Sequence, residues 1–288
     1  MTRPRRRPEA LRGHLLLLPT TLWLGALLIG PLLVVVAFSL GRRGINPPVR
    51  VDWANPRFEN YRRALDPDFL PIFLRSVGYA ASATLCCIAL GFPLAYWIAR
   101  RPPRQRTLFL VLAVVPFLTS YLIRMYAWQF ILQRNGLLNA VLGAAGLGDD
   151  RAFLNTPGAV ILGLTYGFLP FMVLPLYAAI ERMDPSLVEA SADLGHGRIS
   201  TFRRVILPSV FPGLVAGTLL VFIPALGDFV TPALLGGTRT VMYGSVIQDQ
   251  FRGGGNNWPL GSAMAVLLMV VIMIGVIVEL RRSEDGLP

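Results

Sequence analysis

The chain contains no lysine, and all 27 of its basic residues are arginine. Without lysine it can supply neither the P-loop lysine of a nucleotide-hydrolysing site nor a Schiff-base lysine. Cysteine and histidine are almost as scarce, with two of each among 288 residues. Cys86 and Cys87 are adjacent, whereas His14 and His196 are far apart, so no disulfide framework and no zinc-ligand spacing can be recognised. We therefore expect no catalytic residue, no metal site and no cofactor bound by this chain itself.

Charged residues are also sparse, at 15% of the chain, whereas 54% of residues are hydrophobic and the mean hydropathy is +0.57. These values are too apolar for an ordinary soluble domain. The arginines cluster in the gaps between apolar runs, which is typical of membrane topology and not of a nucleic-acid-binding surface. The sequence therefore predicts an all-α polytopic membrane protein embedded in a lipid bilayer, with no nucleic-acid partner.

Six apolar stretches are long enough to form helices that cross a hydrocarbon core of about 30 Å. They cover residues 15–40, 76–99, 107–132, 158–180, 209–235 and 259–280. The first follows a basic tail, residues 1–14, but it is too long for a signal-peptide core and has no A-x-A cleavage site after it. We predict that it is an uncleaved span, and that residues 15–288 form one transmembrane domain of six helices.

The placement of arginine predicts how the helices are oriented. The tail 1–14 carries five arginines, and the loop 100–106 and the segment 181–208 carry four each. The loops 133–157 and 236–258 carry only two each. Because loops rich in arginine stay in the cytoplasm, we expect both termini and the segment 181–208 to be cytoplasmic, in the cell's inner membrane.

A long polar stretch between the fourth and fifth predicted spans is "LVEASADLGHGRISTFRRVILP", residues 187–208. Asp184 followed by Pro185 is typical of a helix start, Gly195 and Gly197 suit a helix end, and a second helix is expected from about residue 200.

Small residues on this first short helix suit close insertion into a groove of another protein. The alternative is an amphipathic segment that rests on lipid headgroups, which the acidic character of the helix disfavours.

The same stretch resembles the signature of ABC importer permeases, which is Glu-Ala-Ala, three residues, Gly, nine residues, an aliphatic residue, any residue and Leu-Pro. The matching residues are Glu189, Ala190, Ser191, Gly195, Val205, Leu207 and Pro208. Ser191 stands for the usual alanine and Val205 for the usual isoleucine, and both substitutions keep size and character. The resemblance implies that the segment 181–208 couples this chain to an ATPase.

Three further stretches look like the spermidine/putrescine branch of these permeases: "PFLTSYLIRMYAWQFIL" (116–132), "ALGDFVTPALLGG" (225–237) and "MYGSVIQDQFRGGGNNWPLGSAMAV" (242–266). The resemblance implies a type I ABC importer permease fold that forms half of a translocation pathway. It also implies partners: ATP-binding cassette ATPase subunits that bind the ATP, a second homologous permease, and an extracytoplasmic solute-binding protein. The expected solute is a polyamine, with an amino-acid derivative, ferric iron, thiamine or an oxyanion as alternatives.

Two ionisable residues lie deep within predicted spans. Asp228 lies about 29 Å into the fifth span and Arg124 about 26 Å from the cytoplasmic end of the third. Such groups usually face the bundle interior or a water-filled cavity. We predict that Asp228 forms a cation path with Trp128 and Tyr166, and that Asp249 lies at its mouth. The alternatives are that Arg124 and Asp228 pair with each other, or reach the headgroups, and that the aromatic residues belong to an interfacial belt.

Two other classes of function have less support in the sequence. An integral membrane enzyme would need a catalytic cluster, but the sequence has no paired carboxylates, no histidine-rich run and no Gly-x-Ser-x-Gly motif. A stand-alone channel or secondary transporter would have no use for an ATPase-docking helix, and no internal repeat is apparent.

Overall fold

The computed structural model describes residues 7–43, 51–52, 58–147, 151–252 and 256–285, so that residues 1–6 of the predicted basic tail lie outside the described residues. The α-helices are α1 (Arg7–Leu40), α2 (Glu59–Ala64), α3 (Leu70–Ala99), α4 (Pro103–Val114), α5 (Tyr121–Leu132), α6 (Leu137–Ala144), α7 (Pro157–Arg182), α8 (Ser186–Asp193), α9 (Arg198–Thr201), α10 (Leu207–Gly227), α11 (Val230–Leu235), α12 (Tyr243–Arg252) and α13 (Trp258–Asp285). Short 3₁₀ segments cover Val115–Leu118 and Thr238–Thr240, and a π-helical segment covers Phe202–Ile206. A small antiparallel ribbon joins β1 (Arg42–Arg43) to β2 (Val51–Asp52).

Among the described residues, five helical stretches are long and apolar enough to cross a membrane: Pro19–Leu40, Leu70–Ala99, Pro157–Arg182, Arg198–Gly227 and Trp258–Glu279. A sixth is obtained when Pro103–Leu118 and Tyr121–Ala144, which are bent by 87° relative to each other, count as one broken span. The predicted all-α polytopic class is confirmed, and the predicted number of six spans is reached when the bent pair counts as one.

The third predicted span, 107–132, is not a continuous helix. The chain tightens into the 3₁₀ segment that contains Pro116, and Thr119 and Ser120 then adopt extended conformations, with ψ angles of 154° and 133°. Proline removes a backbone donor, and extended residues end the helical hydrogen-bond ladder. The depth of Arg124 that was counted along one straight helix is therefore wrong, since the helix axis turns before this residue is reached.

The fifth predicted span, 209–235, is also divided. Helix α10 ends at Gly227, Asp228 is extended with ψ of 133°, and α11 begins at Val230. The Asp228 side chain accepts the backbone N–H of Val230 at 2.8 Å, so it supports the start of the new helix. An ionisable side chain is thereby held at a break in the helix.

The contacts divide the chain into two compact units. In the larger unit, residues 67–248 and 272–288, helices α3, α7 and α10 pack against one another. Their core is formed by Cys87, Ala95, Ile98, Met172, Val173, Leu176, Ile180, Val210 and Val221. Gly213 permits the close approach of α10 to α7, because a Cβ atom at this position would lie 2.5 Å from the Cβ of Ala179 and 2.7 Å from the carbonyl oxygen of Pro175.

The smaller unit comprises residues 1–66 and 249–271. The buried side chain of Asn60 donates to the carbonyl oxygens of Ser39, at 2.8 Å, and Gly41, at 2.7 Å. These bonds satisfy carbonyl groups at the C-terminal end of α1, which have no helical partner. They fix α2 against the end of the first apolar helix.

Candidate functional site

The segment 181–208 begins with a capped helix. The Asp184 carboxylate accepts the backbone N–H of Ser186 at 2.9 Å, as expected for a cap at the start of α8. Hydrogen bonds from Ser186 lower the pKa of the Asp184 carboxyl below its usual range. The predicted helix start is therefore confirmed in this region, with Asp184 as the capping side chain.

Helix α8 ends in a Schellman turn at Gly195. The N–H of His196 donates to the carbonyl of Ser191 at 3.1 Å, and the N–H of Gly195 donates to the carbonyl of Ala192 at 2.9 Å. Gly195 has a φ of +79°, which residues with a side chain rarely adopt, so the predicted helix end is confirmed there. The same expectation for Gly197 is wrong, because its φ is −68°, and the next helix begins at Arg198, earlier than predicted.

A buried hydrogen bond joins the two short helices of this segment. The hydroxyl groups of Ser191 on α8 and Thr201 on α9 are 3.0 Å apart, and the two residues are only 5% and 6% exposed. Buried hydroxyl groups that satisfy each other are costly to separate. Helix α8 is therefore clamped to α9 and, through the π-helical segment, to α10.

The face of this segment that lies away from the Ser191–Thr201 hydrogen bond is exposed. Leu187, Leu194 and Ile199 are 47%, 77% and 77% exposed, and Glu189 is also exposed. Ala190, a small residue, is exposed beside them. Exposed leucine and isoleucine side chains next to a carboxylate are typical of a surface that binds another protein.

The remaining predicted coupling residues lie where this segment joins α10. Val205 lies in the π-helical segment, and Leu207 and Pro208 follow it directly as the first residues of α10. Beside the segment, a cavity of about 440 Å³ is lined by Phe92, Tyr96, Arg100, Val188, Ala192, His196, Arg198, Thr201, Phe202 and Ile206. In the described part of the chain, no group of three His, Cys, Asp or Glu side chains could hold a metal ion.

A second cluster surrounds Asp228, which is 8% exposed. One of its carboxylate oxygens accepts the N–H groups of Val230, at 2.8 Å, and Thr231, at 3.5 Å. The other accepts the hydroxyl groups of Tyr121, at 2.7 Å, and Thr231. The carboxylate is held in one position, yet no cation lies within 4.0 Å of it among the described residues. Among the described residues, the carboxylate is therefore held by uncharged donors and forms no direct ion pair.

Arg124 lies in the same cluster without pairing with Asp228. It is 8% exposed, and its guanidinium carbon lies 4.8 Å from the centroid of the Phe117 ring, 5.5 Å from that of Tyr121 and 5.9 Å from that of Tyr166. The alternative of a direct Arg124–Asp228 ion pair is not observed. Instead, Tyr121 contacts both residues, the arginine through its ring and the aspartate through its hydroxyl group.

The predicted aromatic residues belong to this cluster as well. The rings of Trp128 and Tyr166 meet edge to face, with centroids 5.5 Å apart. The ring of Tyr166, which is 36% exposed, also lies next to the guanidinium group of Arg124. Asp249 lies on an exposed position of α12.

Tyr121, Thr231 and Phe117 were not predicted from the sequence. Tyr121 precedes Arg124 by three residues, a spacing that puts two side chains on one face of a helix. Thr231 follows Asp228 by three residues, as in many helix caps. These spacings were present in the sequence, but only the fold brings the two pairs together.

Comparisons with known proteins identify the family to which the chain is similar. Residues 88–281 match the family model described as "Binding-protein-dependent transport system inner membrane component". The chain is 42% identical over 227 residues to the spermidine/putrescine transport system permease protein PotB of Escherichia coli (strain K12), covering 78% of this chain and 82% of that protein. It is 40% identical over 265 residues to the PotB protein of Haemophilus influenzae, covering 91% of each.

More distant similarities extend to other solutes. The molybdenum transport system permease protein ModB of Mycobacterium bovis is 30% identical over 242 residues, covering 83% of this chain and 87% of that protein. Among solved structures, a bacterial ABC transporter involved in the import of the acidic polysaccharide alginate aligns with a TM-score of 0.67 at 18% identity, covering 96% of each chain. This likeness shows a shared fold.

Proposed function

The chain belongs to the family of binding-protein-dependent transport system inner membrane components, and we propose that it is one permease subunit of an ATP-driven polyamine importer. In this role it forms half of the translocation pathway and is not itself an enzyme. ATP is bound and hydrolysed by separate ATP-binding cassette subunits, and this chain needs no cofactor. A second homologous permease completes the pathway, and an extracytoplasmic binding protein delivers the solute.

The main support for this proposal is the structure of the segment 181–208. Its inner side is fixed by the Ser191–Thr201 hydrogen bond, and its outer side exposes Leu187, Leu194 and the acidic Glu189. A channel or a secondary transporter that works alone has no need for a rigid docking surface of this kind. We infer that the outer side binds the ATPase subunit, with Glu189 facing basic groups.

The helices also offer a path from this docking surface to the candidate solute site. Residues Arg198–Gly227 form one helical rod, which is about 45 Å long at 1.5 Å per residue. Asp228 follows directly at its far end. A movement of α8 that is driven by the ATPase would reach α9 through the Ser191–Thr201 bond and then shift this rod.

The nature of the solute follows from the charge at the second cluster. The Asp228 carboxylate forms no ion pair within 4.0 Å among the described residues, and Trp128 and Tyr166 present aromatic rings in the same cluster. Ammonium groups are attracted both to carboxylates and to aromatic faces. The two polyamine permeases that are 40% and 42% identical to this chain support the same class of solute. Asp249 is proposed to attract the solute at the outer surface.

The orientation that the arginines predict belongs to this proposal. Both termini and the segment 181–208 would face the cytoplasm, where the ATPase resides. Reporter fusions at Arg282 and within residues 240–256 are expected to report opposite sides of the membrane. Signals from the same side would contradict the proposed topology.

Uptake in cells tests the choice of solute. The chain is expressed with its ATPase, second permease and binding protein in a strain that neither makes nor imports polyamines. Accumulation of labelled spermidine is expected, with competition from putrescine and none from molybdate, ferric iron or thiamine. Accumulation of one of these other solutes without spermidine would support the alternative within the same class of importer.

A further inference from the structure

The guanidinium group of Arg124 lies against three aromatic rings. Its carbon lies 4.8, 5.5 and 5.9 Å from the ring centroids of Phe117, Tyr121 and Tyr166, which we call the aromatic cage. Within the described ranges, the side chain has no hydrogen-bond acceptor and no carboxylate within 4.0 Å. Its Nε atom is buried without a partner. The ring faces are therefore what holds this cation in place.

This arrangement is unusual for a buried charge. A guanidinium group does not lose its proton in a protein, and a buried cation is costly unless an anion or hydrogen bonds compensate it. Aromatic faces attract any cation of suitable size, whether guanidinium or ammonium. The cage can thus bind cations in general, and in this structure the cation is the side chain of Arg124. Because no hydrogen bond fixes the guanidinium, the long and flexible arginine side chain can withdraw from it.

We propose that Arg124 is a tethered cation that seals the solute path of this chain. Its guanidinium group occupies the aromatic cage when no solute is present, and an ammonium group of the transported polyamine displaces it. Two cations cannot share the cage because they repel each other at this distance. The inference rests on the proposed function and adds to it a residue that prevents cations from leaking through the empty permease.

The seal is tested by leakage in the absence of ATP. The complete importer is reconstituted into vesicles loaded with labelled spermidine, and passive efflux is measured. Arg124→Ala is expected to raise the efflux rate about tenfold or more, because a buried charge that opposes a second cation has been removed. Arg124→Lys keeps the charge and is expected to remain sealed. The control is Arg75→Ala, since Arg75 is only partly buried and donates to the carbonyl of Arg239, outside the cage.

Chemical rescue distinguishes an ionic seal from a structural role. In the Arg124→Ala protein, free guanidinium ion at millimolar concentration is expected to fill the cage and restore low efflux. Urea has the same shape without the charge and is expected to have no effect. Adding Phe117→Leu should abolish the rescue, because a face of the cage is lost. Rescue by urea, or rescue that is independent of Phe117, would overturn the proposal.

A measurement on the unaltered protein covers the case in which the variants fail to assemble. Phenylglyoxal modifies accessible guanidinium groups, and mass spectrometry reports its reaction at Arg124. Labelling of Arg124 is expected to rise several-fold when the importer is trapped with polyamine. Labelling that stays constant with polyamine present would contradict displacement.

A failure of the proposed seal can also be distinguished from a failure of the proposed function. ATP-driven spermidine uptake by the unaltered importer is measured in the same vesicles. Uptake with normal coupling, but with efflux that Arg124→Ala leaves unchanged, would overturn the seal alone. Absence of any polyamine uptake would overturn the proposed solute as well.

Discussion

The hydroxyl group of Tyr121 donates to the carboxylate of Asp228 across 2.7 Å and so connects two interrupted helices. Tyr121 begins the helix that follows the break in the third span, and Asp228 occupies the break in the fifth. Breaks within a membrane helix expose backbone groups that side chains must satisfy. The bond therefore both stabilises the breaks and positions the charge that the proposed cation path needs.

Removal of this hydroxyl group should destabilise the permease. Tyr121→Phe leaves the backbone bonds of Asp228 intact but removes one donor to a buried carboxylate. We expect a loss of about 1–3 kcal/mol in the free energy of unfolding, measured by detergent denaturation. Tyr126→Phe is the control, because Tyr126 lies on the same helix and is 48% exposed. Equal losses in the two proteins would show that the Tyr121–Asp228 bond contributes nothing.

The clamp within the segment 181–208 can be tested by a double-mutant cycle. Ser191→Ala leaves the buried hydroxyl group of Thr201 without its partner, which should cost about 1–3 kcal/mol of local stability. Hydrogen exchange in residues 186–194 should accelerate accordingly. The double variant, Ser191→Ala with Thr201→Val, should be less affected than the sum of the two single changes. Ser200→Ala is the control, and additive effects would argue against the clamp.

The glycine contact between α7 and α10 predicts a large effect of a single methyl group. Gly213→Ala would place a Cβ atom 2.5 Å from that of Ala179, so the two helices must separate. Overpacking of this kind typically costs about 1–3 kcal/mol. Gly78→Ala, in α3, meets nothing within 4 Å and should be tolerated. Thermal unfolding in detergent compares the two proteins, and similar midpoints would contradict the packing argument.

Much of the fold could be predicted from composition because long apolar runs and arginine-rich gaps report directly on membrane helices. The broken spans could not be predicted in the same way. Hydropathy is an average over a window, and it stays high through Pro116 and through Asp228 even though the backbone leaves the helix there. The sequence contained the local signs of both breaks, but an apolar window conceals them.

The two candidate sites also differ in how far the sequence predicts them. The segment 181–208 could be recognised because its residues are contiguous and fixed in spacing. The cluster around Asp228 gathers residues from α5, α7 and the start of α11, and Tyr121, which contacts both Arg124 and Asp228, has no distinguishing neighbours in the sequence. Such long-range contacts depend on how the helices pack, which the pattern of a single chain does not specify.

Reversal of the charge at Glu189 tests the docking surface. Glu189→Arg should leave the protein in the membrane, since the residue is exposed. It should abolish polyamine uptake and reduce the amount of ATPase that co-purifies with the permease, because like charges would then face each other. Glu189→Gln removes the carboxylate without reversing its charge and should have a smaller effect. Normal uptake and normal ATPase retention in the Arg variant would contradict the docking role.

The central claim is that this chain forms half of a polyamine path that a separate ATPase drives. The most direct measurement is uptake of labelled spermidine into vesicles that contain the ATPase, both permeases and the binding protein. Our account predicts uptake that requires ATP and stops when this chain is left out, whereas the purified chain alone hydrolyses no ATP. Uptake that proceeds without ATP, or without this chain, would contradict it.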